Sequence, residues 1–185
     1  VSAGQESASI YMNLDGVNHV LVGARGTVTL NFTPKQIPKF KFTMSGLLGP
    51  IADTALPTVD LTKFLKPVVC SKANTTLTLH GLAAVAESLN IDLGNQVEAR
   101  HLINSESIEI TNRAVSGTTV IEAASVATKD WFGIAKASTT GVMLAKHGTV
   151  VGGIVEIEAP AVQIGQPTYG NTQGILNTSL PLAMT

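Results

Sequence analysis

Charge is scarce in this chain. Only 14% of its 185 residues are Asp, Glu, Lys or Arg, well under the roughly 25% usual in soluble domains. A surface so poor in ionised groups, and rich in Thr, Ser, Asn and Ala, fits the depletion of charge found where neighbours cover a protein. Assembly is therefore the first expectation. The net charge of −1 argues against a dedicated nucleic-acid binder, which needs a basic patch to displace counterions from phosphate. Cys70 is the sole cysteine, so there is no intrachain disulfide framework and no thiolate zinc site. No His/Asn constellation can be assigned to it, and a buried, inert thiol is expected. Aromatic residues make up 4%, with one Trp, a poor basis for a glycan-reading patch. No apolar run reaches the ~18 residues of a membrane span. The chain opens at Val1 without Met and shows no signal peptide, so a processed or truncated product is expected.

What the chain has in quantity is alternation. Hydrophobic residues at 44% allow one domain with a real core, or a domain and part of another. Ser9-Ile10-Tyr11-Met12-Asn13-Leu14 leads into Asp15-Gly16, a type I′ turn pair, and His19-Val20-Leu21-Val22 follows, which predicts a β-hairpin. Gly23-Ala24-Arg25-Gly26 could pass for a phosphate loop, but that loop opens a helix. Here the alternating residues 27–32 follow, so the glycines are read as a kink beside a strand. Phe40, Phe42 and Met44 share one face of a further strand, making a meander of at least four. From 46 to 73 the period breaks at Gly49-Pro50, Leu56-Pro57 and Lys66-Pro67, which predicts a long ordered connection. Strands are then expected at 76–80, 88–93, 107–111 and 118–122, and at 141–146, 154–159 and 175–182, with Pro181 at a strand edge.

One short helix is expected around 128–138, capped by the Thr128 hydroxyl, with Trp131, Ile134 and Ala135 on one face and the indole anchored on a sheet. The fold class is thus all-β, sandwich or barrel-like, with this one flanking helix. The layout of 10–44 returns in 142–182. That suggests 1–46 as the closing hairpins of a first copy, 47–85 as connection plus strand, and 86–185 as a second β domain.

Chemical constellations do not emerge. His19, His80, His101 and His147 sit in unrelated segments without metal or general-base spacing. Glu106, Glu109, Glu122, Glu156 and Glu158 lie on polar strand faces, and Glu87, Asp92 and Glu98 lack calcium-loop spacing. Asn31, Asn74 and Asn177 begin glycosylation tripeptides of a kind frequent by chance in a Thr-rich chain. No enzyme, cofactor or metal is expected.

The runs Ile10-Tyr11-Met12-Asn13-Leu14-Asp15-Gly16, Gly23-Ala24-Arg25-Gly26-Thr27-Val28, Ile37-Pro38, Phe40-Lys41-Phe42 and Gly46-Leu47 carry a family likeness. It continues through Ala55-Leu56-Pro57, Lys72-Ala73-Asn74-Thr75, Leu93-Gly94-Asn95-Gln96-Val97-Glu98, Asn104-Ser105-Glu106-Ser107-Ile108 and Glu122-Ala123-Ala124. In this order they closely resemble the major tail (tail tube) proteins of long non-contractile bacteriophage tails and related prophages. The resemblance implies a β-sandwich or barrel-like core with a flanking helix, further sequence upstream of Val1, and a virion protein assembled in the host bacterial cytoplasm. It also implies rings, either hexamers or trimers imitating them, stacked around a channel for transient passage of double-stranded DNA. The implied partners are a tape-measure protein and tail-end proteins, with no membrane.

On that footing Asp15-Gly16 and the long connection, with Pro50 and Pro57, are the candidates for contacts between subunits or rings. Glu109, Glu156 and Glu158 are the candidates to face the lumen, because cationic grips on phosphate would add drag. The competing reading is a carbohydrate- or receptor-binding β-sandwich module of a tail tip or fibre. A β-sandwich hydrolase is the remaining one.

Overall fold

The computed structural model describes residues 5–184, so Val1 and the start of the expected 1–46 segment lie outside the described residues. The strands are β1 (Ala8–Leu14), β2 (Val17–Phe32), β3 (Lys39–Asp53), β4 (Thr75–Leu79), β5 (Leu82–Ala83), β6 (Ala86–Asp92) and β7 (Asn95–Leu102). They continue as β8 (Ser105–Arg113), β9 (Ser116–Glu122), β10 (Thr140–His147), β11 (Val155–Ile164), β12 (Thr168–Thr172) and β13 (Ile175–Met184), with α1 (Trp131–Lys136) between β9 and β10. The fold is all-β with one short helix. The chain divides into two compact units. Unit one comprises Val1–Val28, Phe42–Phe64 and Gly94–Arg113; unit two comprises Thr29–Lys41, Leu65–Leu93 and Ala114–Thr185.

In unit one, β1 and β2 form the expected hairpin. Asp15 (φ 48°) and Gly16 (φ 89°) both take the left-handed conformation a type I′ turn requires. β2 does not stop at Gly23. Gly23 has φ 60°, and the register slips from Ile10↔Leu21 to Ala8↔Ala24, so one extra residue is absorbed as a bulge. A bulge bends a strand without ending it; the two strands expected at 19–22 and 27–32 are therefore one. β3 likewise runs on through Gly46 and Gly49-Pro50, where a break was expected. A Cβ at Gly46 would meet Leu21 Cγ at 2.5 Å, so this glycine admits close approach of β3 to β2. Pro50 is tolerated because β3 pairs only with β2, as an edge strand. The irregular connection shrinks to residues 54–74.

The β7–β8 hairpin completes unit one. Asn95 Nδ2 donates to Gly26 O at 2.9 Å, and Arg25 donates through Nη1 to Ile108 O and, at 3.2 Å, to Glu109 Oε2. β7 escapes sequence reading because six of its eight residues, Gln96 and 98–102, are exposed. With no buried face there is no alternation to see.

Unit two is an antiparallel sheet in the order β6-β9-β13-β11-β10-β4-β5, with β12 on β13 and the end of β2, Thr29 to Phe32, on β6. Leu79, Met143, Val162 and Leu180 have no exposed surface, each stabilising the fold by about 1.5–3 kcal/mol relative to an exposed position. Two buried polar side chains are paired: Thr119 Oγ1 donates to Ser88 O at 2.8 Å, and His147 Nδ1 lies 2.8 Å from Thr75 Oγ1. Pro181 is not at an edge; it pairs across β9 and lies between the stretches of β13 taken by β12 and β11.

α1 is shorter than expected, and its cap is Asp130, whose Oδ1 accepts from Gly133 N at 2.8 Å. Thr128 instead closes a turn with Ser125. A carboxylate two residues closer to the helix outcompetes the hydroxyl, because it also meets the positive end of the helix dipole. Trp131 is buried edge-on against the His80 ring.

Candidate assembly surfaces

Uncovered apolar surface is where a partner can gain most by binding. Unit one has it where β3 ends. Every residue there from 51 to 64 is exposed, as are 65–69, which belong to unit two, and Leu56, Val59, Leu61 and Phe64 are each more than 60% so. Prolines at 57 and 67 deny this stretch the donors of a ladder strand. Midway along it is a turn: Thr62 donates to Asp60 Oδ1 through N at 2.9 Å and Oγ1 at 2.7 Å, and Phe64 N donates to Leu61 O at 3.1 Å. The Thr62 hydroxyl, and then its amide, hold the Asp60 carboxyl below its ordinary range.

The root of this connection is fixed. Thr54 N donates to Gly16 O at 2.7 Å, Asn13 Nδ2 donates to Thr54 O at 3.2 Å, and Gly16 N donates to Asn13 Oδ1 at 3.0 Å. The Asp15-Gly16 turn and the connection that carries Pro57 thus meet at one place, while Pro50 stands exposed earlier, on β3. Sequence reading singled out the prolines and missed the apolar side chains between them. The available signal was four large apolar residues, at 56, 59, 61 and 64, in a stretch with no period to bury them.

The three glutamates separate. Glu109 belongs to unit one and is largely covered: its side chain is 20% exposed and paired with Arg25, itself 16% exposed. Glu109 also faces Glu98 across the hairpin, and like charges there repel, so Arg25 offsets a local cost. Glu156 and Glu158 belong to unit two and are exposed on β11. Glu156 lies 3.7 Å from Lys146 on the neighbouring strand. Glu158 stands opposite Leu144 and makes no ion pair among the described residues.

Unit two contains a hollow of about 850 Å³, whose lining includes Phe32, Leu77, Ala84, Val85, Leu89 and Ala145. Cys70 and Lys72 are its ionisable lining groups, and Cys70 is buried. Among the described residues no three His, Cys, Asp or Glu side chains gather as a metal site, and no helix is long and apolar enough to cross a membrane. Asn177 is 6% exposed, and its amide donates to Thr172 Oγ1 and Glu87 Oε2, which closes that position to a glycan.

The residues 1–178 match a family model described as Phage tail tube protein. No curated protein matches the chain.

Proposed function

Because the chain belongs to the phage tail tube protein family, and is thereby a structural component of a virion tail, we propose that its copies close into rings and that the rings stack into the tube through which DNA is ejected. The observation that carries this reading is the exposed, apolar, prolyl-interrupted run from 51 to 69. A chain with so much uncovered apolar surface gains from association, and rotationally closed contacts between identical copies give rings.

The Asp15-Gly16 turn and the connection with Pro57 share one anchored root, which supports a single contact element reaching a neighbouring subunit or ring; Pro50 on the β3 edge extends it. Edge strands are covered by the adjacent copy, which removes their aggregation hazard. Glu156 and Glu158 face the lumen. Their exposure supports this, and their charge keeps DNA from gripping the wall. Glu109 contributes less there, since Arg25 neutralises it within the chain. The role is mechanical and involves no catalytic step; rings of six copies, or of three with doubled subunits, end on tape-measure and tail-end proteins. Negative-stain imaging of the concentrated protein is expected to show rings or tubes of uniform width, and a persistent monomer would overturn the reading.

A further inference from the structure

The hollow of unit two and the exposed connection have complementary chemistry. The hollow, at about 850 Å³, lies within the roughly 300–1,000 Å³ that seats a compact ligand. Leu77 and Leu89 are buried in its wall, and Val85 is 67% exposed at its mouth. Ala83, Ala84, Ala86 and Ala145 line it where larger side chains would fill it, and close-packed interiors rarely leave such space open. The connection supplies the converse: Leu56, Val59, Leu61 and Phe64, all exposed. In an extended chain alternate residues face one way, at about 3.3 Å per residue, so Pro57, Val59 and Leu61 enter together while Asp60 stays at the rim. Charges agree as well. Asp60 is the one acid between Asp53 and Cys70, and Lys72 is the one charged residue of the lining.

We propose that residues 56–64 of one copy seat in the unit-two hollow of a second copy, with Val59 and Leu61 against Leu77 and Leu89, and Asp60 paired with Lys72. A second copy is the occupant because a tube subunit is surrounded by its own kind, so the inference rests on the tube reading. It adds which surface takes the connection. Each copy both gives a segment and receives one, a heterologous contact that propagates through the assembly instead of closing as an isolated pair.

The test uses the full chain with Cys70→Ala, carrying Leu61→Cys in one tagged population and Val85→Cys in another. After assembly and mild oxidation, a disulfide-linked heterodimer carrying both tags is expected on a non-reducing gel, and the doubly substituted chain should give a ladder of linked copies. Tubes that form without any such linkage, or a doubly substituted chain that links only to itself, overturn the seat while leaving the tube reading intact. Linked ladders without tubes support the seat and count against the tube. Independently, Ala84→Phe fills the hollow at a partly exposed position. It should raise the concentration needed for assembly at least about tenfold with the melting of the unassembled chain unchanged; assembly at the wild-type concentration overturns the proposal.

Discussion

In unit two Leu79, Met143, Val162 and Leu180 are wholly enclosed, and Trp131, Ile121 and Ile164 nearly so, whereas unit one buries only Val20, Ala24 and Ile108 among the described apolar side chains. Unit one instead exposes Tyr11, Leu48, Leu61 and Phe64, each above 60%, and Ile103 at 94%. Both are made of antiparallel strands with type I′ turns, so the difference lies in what the strands cover. Ordering a residue costs about 1–2 kcal/mol of backbone entropy, and apolar burial is the main term that offsets it. Unit two offsets that cost within itself. Unit one has a thin core, and its strands gain most when further surface covers them.

The largest effect that could break this contrast comes from truncating one large apolar side chain in each unit, enclosed in unit two and exposed in unit one. Met143→Ala is expected to lower the unfolding free energy of the dilute, unassembled chain by about 2–5 kcal/mol. Leu48→Ala, at a position 75% exposed in unit one, should stay within about 0.5 kcal/mol. Urea titration read by the emission of Trp131, the chain's single tryptophan, measures the first; far-ultraviolet circular dichroism adds the strands of unit one. Similar losses at both sites would show that Leu48 is covered in the unassembled chain, and that unit one has more core than the contrast allows.

A smaller effect sharpens the contrast in charge. Glu109→Lys places a cation against Arg25 in unit one and removes a charge-assisted hydrogen bond, so a loss of about 1.5–3 kcal/mol is expected. Glu156→Lys with Glu158→Lys, on the exposed face of β11 in unit two, should change stability by about 0.5 kcal/mol or less and leave tubes of the same width, yet slow or block DNA ejection. Ejection at the wild-type rate from particles carrying the double variant removes the lumen assignment. A stability loss at 156 and 158 as large as at 109 removes the distinction between a largely covered acid and exposed ones.

Much of this was legible in the residues. Period-two alternation located those strands of unit two that have one buried face; Thr75–Leu79 and Thr140–His147 read cleanly for that reason. Asp15-Gly16 named its turn. Illegible were features decided by a second strand: that Gly23 bulges and does not break β2, and that Gly46 fits under Leu21. β7 and β12 carry little buried surface and so little pattern. For the assembly surface, the scarcity of charge pointed to cover by neighbours, which the tube reading proposes, and the missing period pointed to a connection but began it too early, since residues 46–53 belong to β3. The hollow could not be read, because an alanine at 84 or 145 shows its effect only when the facing strand is in place.

The smallest expected effect concerns protons, and it tests whether unit two unfolds as a body of its own. His80 opens the β4–β5 turn at φ 49°, its Nε2 lies 2.8 Å from Val162 O, and its ring packs edge-on against Trp131. Burial pushes the His80 pKa below its ordinary 6.5; the bond to Val162 O opposes this in part, and the nearby Lys129 ammonium adds a smaller push downward. A folded-state pKa below the unfolded one means the unfolded chain binds the proton first. The contribution of His80 is therefore fully present above about pH 6.5 and declines as pH falls from there toward the folded value. His80→Asn keeps a residue that tolerates positive φ and removes the titration. The stability advantage of wild type over this variant, read by Trp131 emission between pH 7.5 and 5, should shrink on acidification. Because His80 and Trp131 both belong to unit two, that shrinkage should appear in the emission transition. An advantage that is constant or grows toward acid would mean the ring is as open to protons folded as unfolded, and that this part of unit two is no more enclosed than the strands of unit one.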